Sequence, residues 1–249
     1  MQSRTYDTLF TTNFEHVTPV SNNTQKFTIL YTHGFCSDPW GRKPEEIKTW
    51  CLKNNVPFYR YELAGHGSDR LRFEETDINI YKAQILEIID KYIQGDIVVV
   101  GSSLGGWLSL LAAINRKNRI KGVIGLAAAP DFTVEYIQYA TPSQIEEMKN
   151  FGKITYSGQN ITYTITKRFI DSGNENLVLN KDEIDISCPV VLIQGMKDTS
   201  VDWHTALKIA QRVKTQNVVV KLLKNANHRL NEDSDIREIL SGLDLFLNP

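Results

Sequence analysis

The chain has 249 residues, of which 41% are hydrophobic, and its 28 basic residues nearly balance 29 acidic ones. This length is enough to bury one large core, and α/β folds of this size are commonly a single domain. We therefore predict one domain over residues 1–249. The balanced charge gives no basic patch of the kind that binds nucleic acid or an anionic membrane surface, so neither partner is expected.

The cysteines and the N-terminal residues bear on the cellular compartment. Cys36, Cys51 and Cys188 are odd in number and widely spaced. Such spacing is typical neither of a disulfide framework nor of a metal site, and it favours a reducing compartment. The segment Met1–Phe10 lacks an apolar signal core, and no apolar run has the length of a membrane span. We therefore expect a cytoplasmic protein without an integral membrane segment.

Apolar runs of strand character alternate with helical patterns along most of the chain. Strands are predicted at Phe27–Thr32, Val56–Leu63, Ile97–Val100, Ile120–Ala129, Val190–Gln194 and Val218–Leu223. Helices are predicted at Arg42–Asn55, around Tyr81–Tyr92, from Leu104 to about Asn115, at Val201–Lys214 and at Asp235–Phe246. The polar residues 1–25 allow one or two edge strands. This alternation predicts an α/β fold, with a mostly parallel sheet covered by helices on both faces.

Residues 131–186 break this alternation. Thr141–Pro142–Ser143–Gln144 is typical of a capping box with proline at the first helical position. Ile154–Tyr156 and Ile161–Thr166 flank Ser157–Gly158 and predict a hairpin. We interpret the segment as a cap insertion over the sheet. Four apolar side chains of this segment would line an acyl pocket or pack as the core of the cap itself: Phe132, Tyr136, Met148 and Phe151.

The strand Ile97–Val100 runs into a G-x-S-x-G sequence whose central residue is Ser103, and an apolar helical run follows. A strand, a tight turn and a helix in this order are the context of a nucleophile elbow. Because such a turn is sharp, glycines at 101 and 105 would remove Cβ atoms that would otherwise clash. We predict that Ser103 presents its hydroxyl above the sheet. The alternative is a glycine-bearing turn with an incidental serine.

A serine hydroxyl needs a positioned base, and the base in turn needs an acceptor that holds its tautomer. His228 follows the last predicted strand, and Asp198 follows the strand before it. Residues after parallel strands meet at the same edge of the sheet, so we expect Ser103, Asp198 and His228 to lie together. Asp198 has an alternative role as a cap of the following helix. Asp131 is the reserve candidate for the acid, and Asp202 is a weaker one.

The tetrahedral intermediate of such a reaction needs two hydrogen-bond donors for its oxyanion. The amide of Leu104, directly after the serine, is one predicted donor. The amide of Phe35, after His33–Gly34, is the other, and the amide of Cys36 is an alternative. Three further histidines are assigned to loop structure or to the surface because none follows the last strand: His33, His66 and His204.

Several of these motifs together resemble the α/β-hydrolases: His33–Gly34–Phe35, Gly65–His66–Gly67, Gly101–Gly106, and the segments around Asp198 and His228. Closer still, Gly101–Leu110, Gly195–Val213 and His228–Ile236 resemble the abhydrolase-domain family that contains a mitochondrial acyl-protein thioesterase, also described as an acyl-glucuronide esterase. Small bacterial esterases are a looser match. The resemblance implies an α/β-hydrolase fold and ester or thioester substrates, with Ser103, Asp198 and His228 as the triad. Because no transit peptide is evident, a mitochondrial location is not expected to carry over.

We therefore predict a serine hydrolase that cleaves carboxylic esters or thioesters through an acyl-enzyme on Ser103. Its substrate would be a small-molecule ester or an acyl-protein, and no metal or organic cofactor is implied. The sequence sets no oligomeric state. Two alternatives stay open: a carbon–carbon bond hydrolase that uses the same triad, and a non-catalytic binding protein on a hydrolase fold.

Overall fold

A computed structural model describes residues 13–19, 27–157 and 162–247. The described residues form nine strands: β1 Phe14–Val17, β2 Phe27–Thr32, β3 Phe58–Tyr61, β4 Asp96–Ser102, β5 Ile120–Leu126, β6 Lys153–Ser157, β7 Thr162–Thr166, β8 Val190–Gly195 and β9 Val218–Leu223. Seven of them build one sheet in the order β1-β3-β2-β4-β5-β8-β9. All neighbours pair in parallel except β1, which runs antiparallel to β3 at the edge. The predicted edge strand is thus β1, and the rest of that N-terminal prediction lies outside the described residues.

Helices cover both faces of the sheet, as predicted. They are α1 Arg42–Lys53, α2 Ile78–Lys91, α3 Leu104–Asn115, α4 Thr133–Gln138, α5 Pro142–Phe151, α6 Lys167–Glu175, α7 His204–Arg212 and α8 Asp233–Asp244, with a 3-10 segment at Gly67–Glu75. Helices α1 and α8 bury Ile47 and Ile239 on one face. Helices α2, α3 and α7 bury Ile85, Leu108 and Ile209 on the other. Within the described ranges, no helix has the length and apolar character needed to cross a membrane.

Strand β4 and helix α3 form the centre of the molecule. Side chains alternate along β4, so that Val98 and Val100 pack on one face and Ile97 and Val99 on the other. This burial on both faces explains the uninterrupted β-branched run of the sequence. Helix α3 is buried from Leu104 to Ala113. The turn between these two elements is therefore held by the best-packed part of the fold.

The segment between β5 and β8 lies outside the sheet and contains α4, α5, the β6–β7 hairpin and α6. The predicted capping box is present: the Gln144 amide donates to Thr141 Oγ1 at 3.3 Å, and the Thr141 amide donates to Gln144 Oε1 at 2.9 Å. The hairpin pairs Tyr156 with Tyr163, and its connecting turn falls outside the described residues. Helices α4 and α6 are not predicted from the sequence, because six and nine residues repeat the helical period too few times.

Candidate active site

Ser103 is the single residue between β4 and α3, and it has φ 56° and ψ −116°. A positive φ is costly for any residue with a Cβ atom and persists only where the surroundings enforce it. Here the Ser103 amide donates to the carbonyl of Leu126 at 2.9 Å, and the Ala129 amide donates to the carbonyl of Ser103 at 3.1 Å. The turn is therefore tied to the end of β5 through both its backbone groups, which is the local geometry of a nucleophile elbow.

The glycines around Ser103 are required by close backbone approach. A Cβ atom on Gly101 would lie 2.0 Å from the carbonyl oxygen of Gly105, and one on Gly105 would lie 2.1 Å from that of Thr32. The prediction that both glycines avoid a clash is confirmed. Gly106 has the same requirement, since its Cβ atom would lie 2.6 Å from the Cβ of Ala128.

His228 and Asp198 form a direct hydrogen-bonded pair. His228 Nδ1 lies 2.8 Å from Asp198 Oδ2, and the Asp198 side chain is fully buried while that of His228 is 30% exposed. The same Oδ2 accepts a hydrogen bond from Gln194 Nε2 at 2.8 Å. Oδ1 accepts from the amides of Ser200 and Val201. Oδ1 therefore closes the turn before α7 but does not cap that helix, whose N-cap is Trp203, while Oδ2 contacts the histidine.

The electrostatics of this pair favour an ionised Asp198. Burial raises the pKa of the Asp198 carboxyl, but hydrogen bonds from His228 and from two backbone amides outweigh burial, so the net pKa lies below its usual range. A carboxylate can only accept hydrogen bonds, so the proton of the shared contact sits on His228 Nδ1. Nε2 is the ring nitrogen that Asp198 does not contact, so it is the one that can face the serine hydroxyl.

Ser103 and His228 line the same two cavities. The first has a volume of about 470 Å³, and six of its lining residues are aromatic: Phe35, Phe132, Tyr136, Tyr139, Tyr156 and Tyr163. We call it the aromatic chamber. The second has a volume of about 460 Å³ and is lined by three cationic side chains and one anionic one: Arg42, Lys43, Arg229 and Asp38. We call it the basic chamber. Ser103 and His228 therefore lie where the two chambers meet.

The aromatic chamber takes five of its six aromatic side chains from residues 131–186. Tyr156 and Tyr163 stack across the hairpin with ring centroids 5.6 Å apart, and Tyr136 lies 5.2 Å from Tyr156. Phe132 extends the wall, 5.9 Å from Tyr136. Phe132 and Tyr136 therefore line the chamber beside Ser103, as the acyl-pocket interpretation requires.

The same interpretation is wrong for two other side chains. Met148 packs against the core, and Phe151 is 73% exposed at the end of α5. Neither lines the aromatic chamber. The hydrophobic character of these residues did not distinguish a wall of the chamber from the outer surface of the segment.

The basic chamber is formed by the loop after β2, the start of α1 and the loop after β9. Lys43 Nζ donates to the backbone carbonyl of Arg229, and burial lowers the Lys43 pKa to about 8. Arg42 forms an ion pair with Asp233. Among the described residues, no carboxylate lies within ion-pair distance of Lys43 or Arg229, so these two cations give the chamber a positive character.

The loop after β2 holds the candidate oxyanion donors. The Cys36 amide donates to His66 Nε2 at 3.1 Å, so this alternative donor is already engaged. The Phe35 amide, one residue earlier, is left as the candidate. The Leu104 amide lies in the first turn of α3, where N–H groups have no partner within the helix. His33 and His66, which were assigned to loop structure or the surface, are both buried loop residues.

The two other candidate acids have different partners. Asp131 accepts hydrogen bonds from the amides of Val178 and Leu179, and it ties the two ends of the segment after β5 together. Asp202 pairs with His204 Nδ1 at 2.7 Å on the surface. Among the hydrogen bonds of the described residues, neither carboxylate reaches His228. Both reserve assignments are therefore wrong.

Gln194 is a site residue that the sequence analysis missed. It lies at the end of β8, is 1% exposed and donates to the carboxylate that contacts His228. Its signal in the sequence was a polar side chain at the end of an otherwise apolar buried strand, four residues before Asp198. That position alone is compatible with any strand end, so only the contact reveals the role.

Comparison with known proteins agrees with this geometry. The model of the alpha/beta hydrolase family matches residues 29–240. The mitochondrial palmitoyl-protein thioesterase ABHD10 of rat is 33% identical over 221 residues, which cover 87% of this chain and 73% of the rat protein. Its human counterpart of the same name is 34% identical over 220 residues, covering 87% and 71%.

A solved structure of a protein in this family has the same fold. Alpha/beta hydrolase domain-containing protein 10 from mouse superposes with a TM-score of 0.84 at 28% identity, over 95% of this chain and 94% of that one. The fold and the family resemblance predicted from the motifs are confirmed. The chain belongs to the alpha/beta hydrolase family and is a hydrolase.

Proposed function

We propose that this hydrolase cleaves carboxylic esters or thioesters through an acyl-enzyme on Ser103. The observation that carries the proposal is His228, which is hydrogen-bonded to the buried Asp198 and lines the same two cavities as a serine on a strained strand–helix turn. A serine hydroxyl becomes an effective nucleophile only with such a base, and the base acts only when its tautomer is held. All three groups lie at the carboxyl ends of β4, β8 and β9.

In the proposed reaction, Ser103 Oγ attacks the carbonyl carbon while His228 Nε2 takes the hydroxyl proton. The amides of Phe35 and Leu104 stabilise the charge that develops on the carbonyl oxygen. The intermediate collapses, the bond to the alcohol or thiol breaks, and His228 returns the proton to that leaving group. Water, deprotonated by His228, then attacks the acyl carbon. The bond to Ser103 Oγ breaks, His228 returns the proton to Ser103, and the acid is released. Asp198 keeps the histidine oriented and stabilises its charged form.

We assign the two chambers to the two halves of the substrate. The acyl group enters the aromatic chamber, because apolar ring faces gain from burying an acyl chain or ring. The leaving group enters the basic chamber, whose polar walls suit an alcohol or thiol head. In this proposal, residues 131–186 act as a cap within a single 249-residue domain, and the cap sets the choice of acyl group.

The substrate class extends the same proposal. Relatives named palmitoyl-protein thioesterases favour an acyl thioester, either on a protein or on a small molecule. The test compares matched oxyesters and thioesters from acetyl to palmitoyl. A preference for long-chain thioesters would support an acyl-protein substrate, whereas a preference for short oxyesters would restrict the proposal to small esters.

Ser103→Ala is the decisive control for the mechanism. We expect hydrolysis to fall by at least about 10³-fold, since the remaining groups bind but supply no nucleophile. A fluorophosphonate should label the wild-type serine and leave the variant unlabelled. Full activity in Ser103→Ala would overturn the mechanism. An unlabelled wild-type protein would favour a binding role, and turnover of a vinylogous diketone with weak esterase activity would favour carbon–carbon bond hydrolysis.

The cytoplasmic location stays a prediction. It rests on the cysteine pattern, whereas the relatives carry a mitochondrial location in their names. Fractionation of cells that express the chain with a C-terminal tag tests it. Co-purification of the tag with mitochondria would overturn the prediction.

A further inference from the structure

Two buried histidines hold the loop that carries Phe35, and the proposed reaction uses neither as a base. His33 is 1% exposed and His66 is 0% exposed, and their ring centroids lie 5.2 Å apart. Each ring makes two hydrogen bonds, and every partner is a backbone group. Buried polar groups need such partners, and these four hydrogen bonds hold the backbone around Phe35 in place.

His33 fixes the peptide group that precedes Phe35. His33 Nδ1 lies 2.8 Å from the carbonyl oxygen of Gly34, and Nε2 lies 2.9 Å from the amide nitrogen of Leu63. A carbonyl can only accept and an amide can only donate, so the ring is neutral with its proton on Nδ1. Because the peptide group is planar and trans, holding the Gly34 carbonyl also holds the direction of the Phe35 N–H bond.

His66 fixes the peptide group that follows Phe35. Its Nε2 accepts a hydrogen bond from the Cys36 amide at 3.1 Å, and its Nδ1 donates to the Ala64 carbonyl at 3.1 Å. This ring is neutral with the same tautomer. Cys36 has φ 54°, a strained conformation that an external partner must maintain. The bond to His66 supplies that partner and keeps the Cys36 amide directed at His66.

We propose that His33 and His66 are positioning residues that fix the two peptide groups flanking Phe35 and so aim the Phe35 amide at the substrate oxyanion. The inference rests on the proposed function, because it assigns a purpose to the donor of that reaction. Oxyanion donors contribute only when they are held in place before the charge develops. Burial lowers the pKa of His33 to about 3 and that of His66 to about 4, so both rings stay neutral acceptors at working pH.

The test compares two replacements of His66. His66→Phe keeps a ring among Phe35, Phe73 and Tyr81 but removes the acceptor for Cys36. His66→Gln keeps a carbonyl oxygen that can accept the same bond. We expect His66→Phe to lower kcat by about 10- to 100-fold with KM changed by less than about 2-fold, because a displaced donor costs transition-state stabilisation. His66→Gln should recover most of kcat, and the same pair of replacements at His33 should behave alike.

Tyr81→Phe is the matched control for lost stability. The Tyr81 ring lies 5.7 Å from that of His66, and its hydroxyl makes a 2.6 Å hydrogen bond to Thr76. Removing this hydroxyl deletes a buried bond from the same cluster without touching the loop. It should lower the melting temperature and leave kcat unchanged. Affinity for a trifluoromethyl ketone, which forms a tetrahedral oxyanion on the serine, should fall in His66→Phe by the same factor as kcat/KM.

The possible outcomes separate this inference from the proposed function. Suppose that Ser103→Ala abolishes hydrolysis but His66→Phe keeps the wild-type kcat. That result would leave the proposed function standing and overturn the positioning role. A loss of kcat in Tyr81→Phe as large as in His66→Phe, or no recovery in His66→Gln, would also overturn it, because destabilisation would then explain the effect. Undiminished hydrolysis in Ser103→Ala would instead overturn the proposed function itself.

Discussion

The two chambers that meet at Ser103 differ in both origin and chemistry. The aromatic chamber takes five of its six aromatic side chains from residues 131–186, outside the sheet. The basic chamber is walled by the loop after β2, the start of α1 and the loop after β9, which directly adjoin the sheet and its covering helices. If the acyl group enters the aromatic chamber, as proposed, its recognition can change without disturbing the elements that hold Ser103 and His228.

The largest expected effect is common to both chambers. Asp198→Asn should lower kcat by about 10²- to 10⁴-fold for every substrate, since an amide nitrogen facing Nδ1 favours the wrong histidine tautomer. KM should change little, because neither chamber loses a wall. Steady-state kinetics on one thioester and one oxyester give both kcat and KM. Asp202→Asn is the matched control on the same loop and should retain wild-type activity; a comparable loss there would contradict the assignment.

The two histidines that hold the loop after β2, which lines both chambers, should make the free energy of unfolding depend on pH. The folded-state pKa values of about 4 for His66 and about 3 for His33 lie below the ordinary value of 6.5, so the unfolded chain binds more protons as the pH falls from 6.5 to 4. Unfolding free energy should therefore decrease with falling pH, by up to about 1.4 kcal/mol per pH unit for each histidine.

Urea unfolding at several values between pH 6.5 and 4.5 measures that dependence. His66→Gln removes one of the two titrating groups, so its slope should be smaller than the wild-type slope by up to about 1.4 kcal/mol per pH unit. Parallel slopes for the two proteins would show that His66 takes up a proton equally in both states, contrary to its burial.

A smaller effect should be confined to the aromatic chamber. Tyr156→Leu removes a ring that stacks on Tyr163, so the preference for a phenylpropanoyl over an octanoyl thioester should fall by about 2- to 10-fold, the equivalent of one aromatic contact. Tyr156→Phe keeps the ring and should keep the preference. The preference is the ratio of the kcat/KM values for the two thioesters. An altered leaving-group preference in Tyr156→Leu would contradict the separation of the chambers.

The smallest expected effect is confined to the basic chamber. Lys43→Met should lower kcat/KM for an ester whose leaving group carries a carboxylate by about 2- to 5-fold, as for a partly exposed charge pair. A neutral leaving group should be unaffected, and Lys43→Arg should retain the wild-type ratio. Because the Lys43 pKa is lowered to about 8, the wild-type advantage should fade as the pH rises through that value. A ratio that is constant from pH 7 to 9 would contradict the role of Lys43.

Local sequence determined the strands and helices of the central sheet and their order. The β-branched run of β4 and the apolar α3 predicted the central strand and helix, because burial on both faces leaves a direct mark on composition. Gly101 and Gly105 predicted the sharp turn at Ser103, since only glycine avoids the contacts there. The positions of Asp198 and His228 after successive strands predicted that they would meet, because parallel strands end at one edge.

Tertiary structure decided which of several equivalent partners make contact. Asp131, Asp198 and Asp202 all follow strands or turns in the sequence, yet only Asp198 contacts His228. The Phe35 and Cys36 amides are neighbours, and a ring 30 residues away engages one of them. Phe132 and Phe151 are equally apolar, but one lines the chamber and the other faces outward. Such choices depend on distances between segments far apart in the chain, which residue type and spacing do not encode.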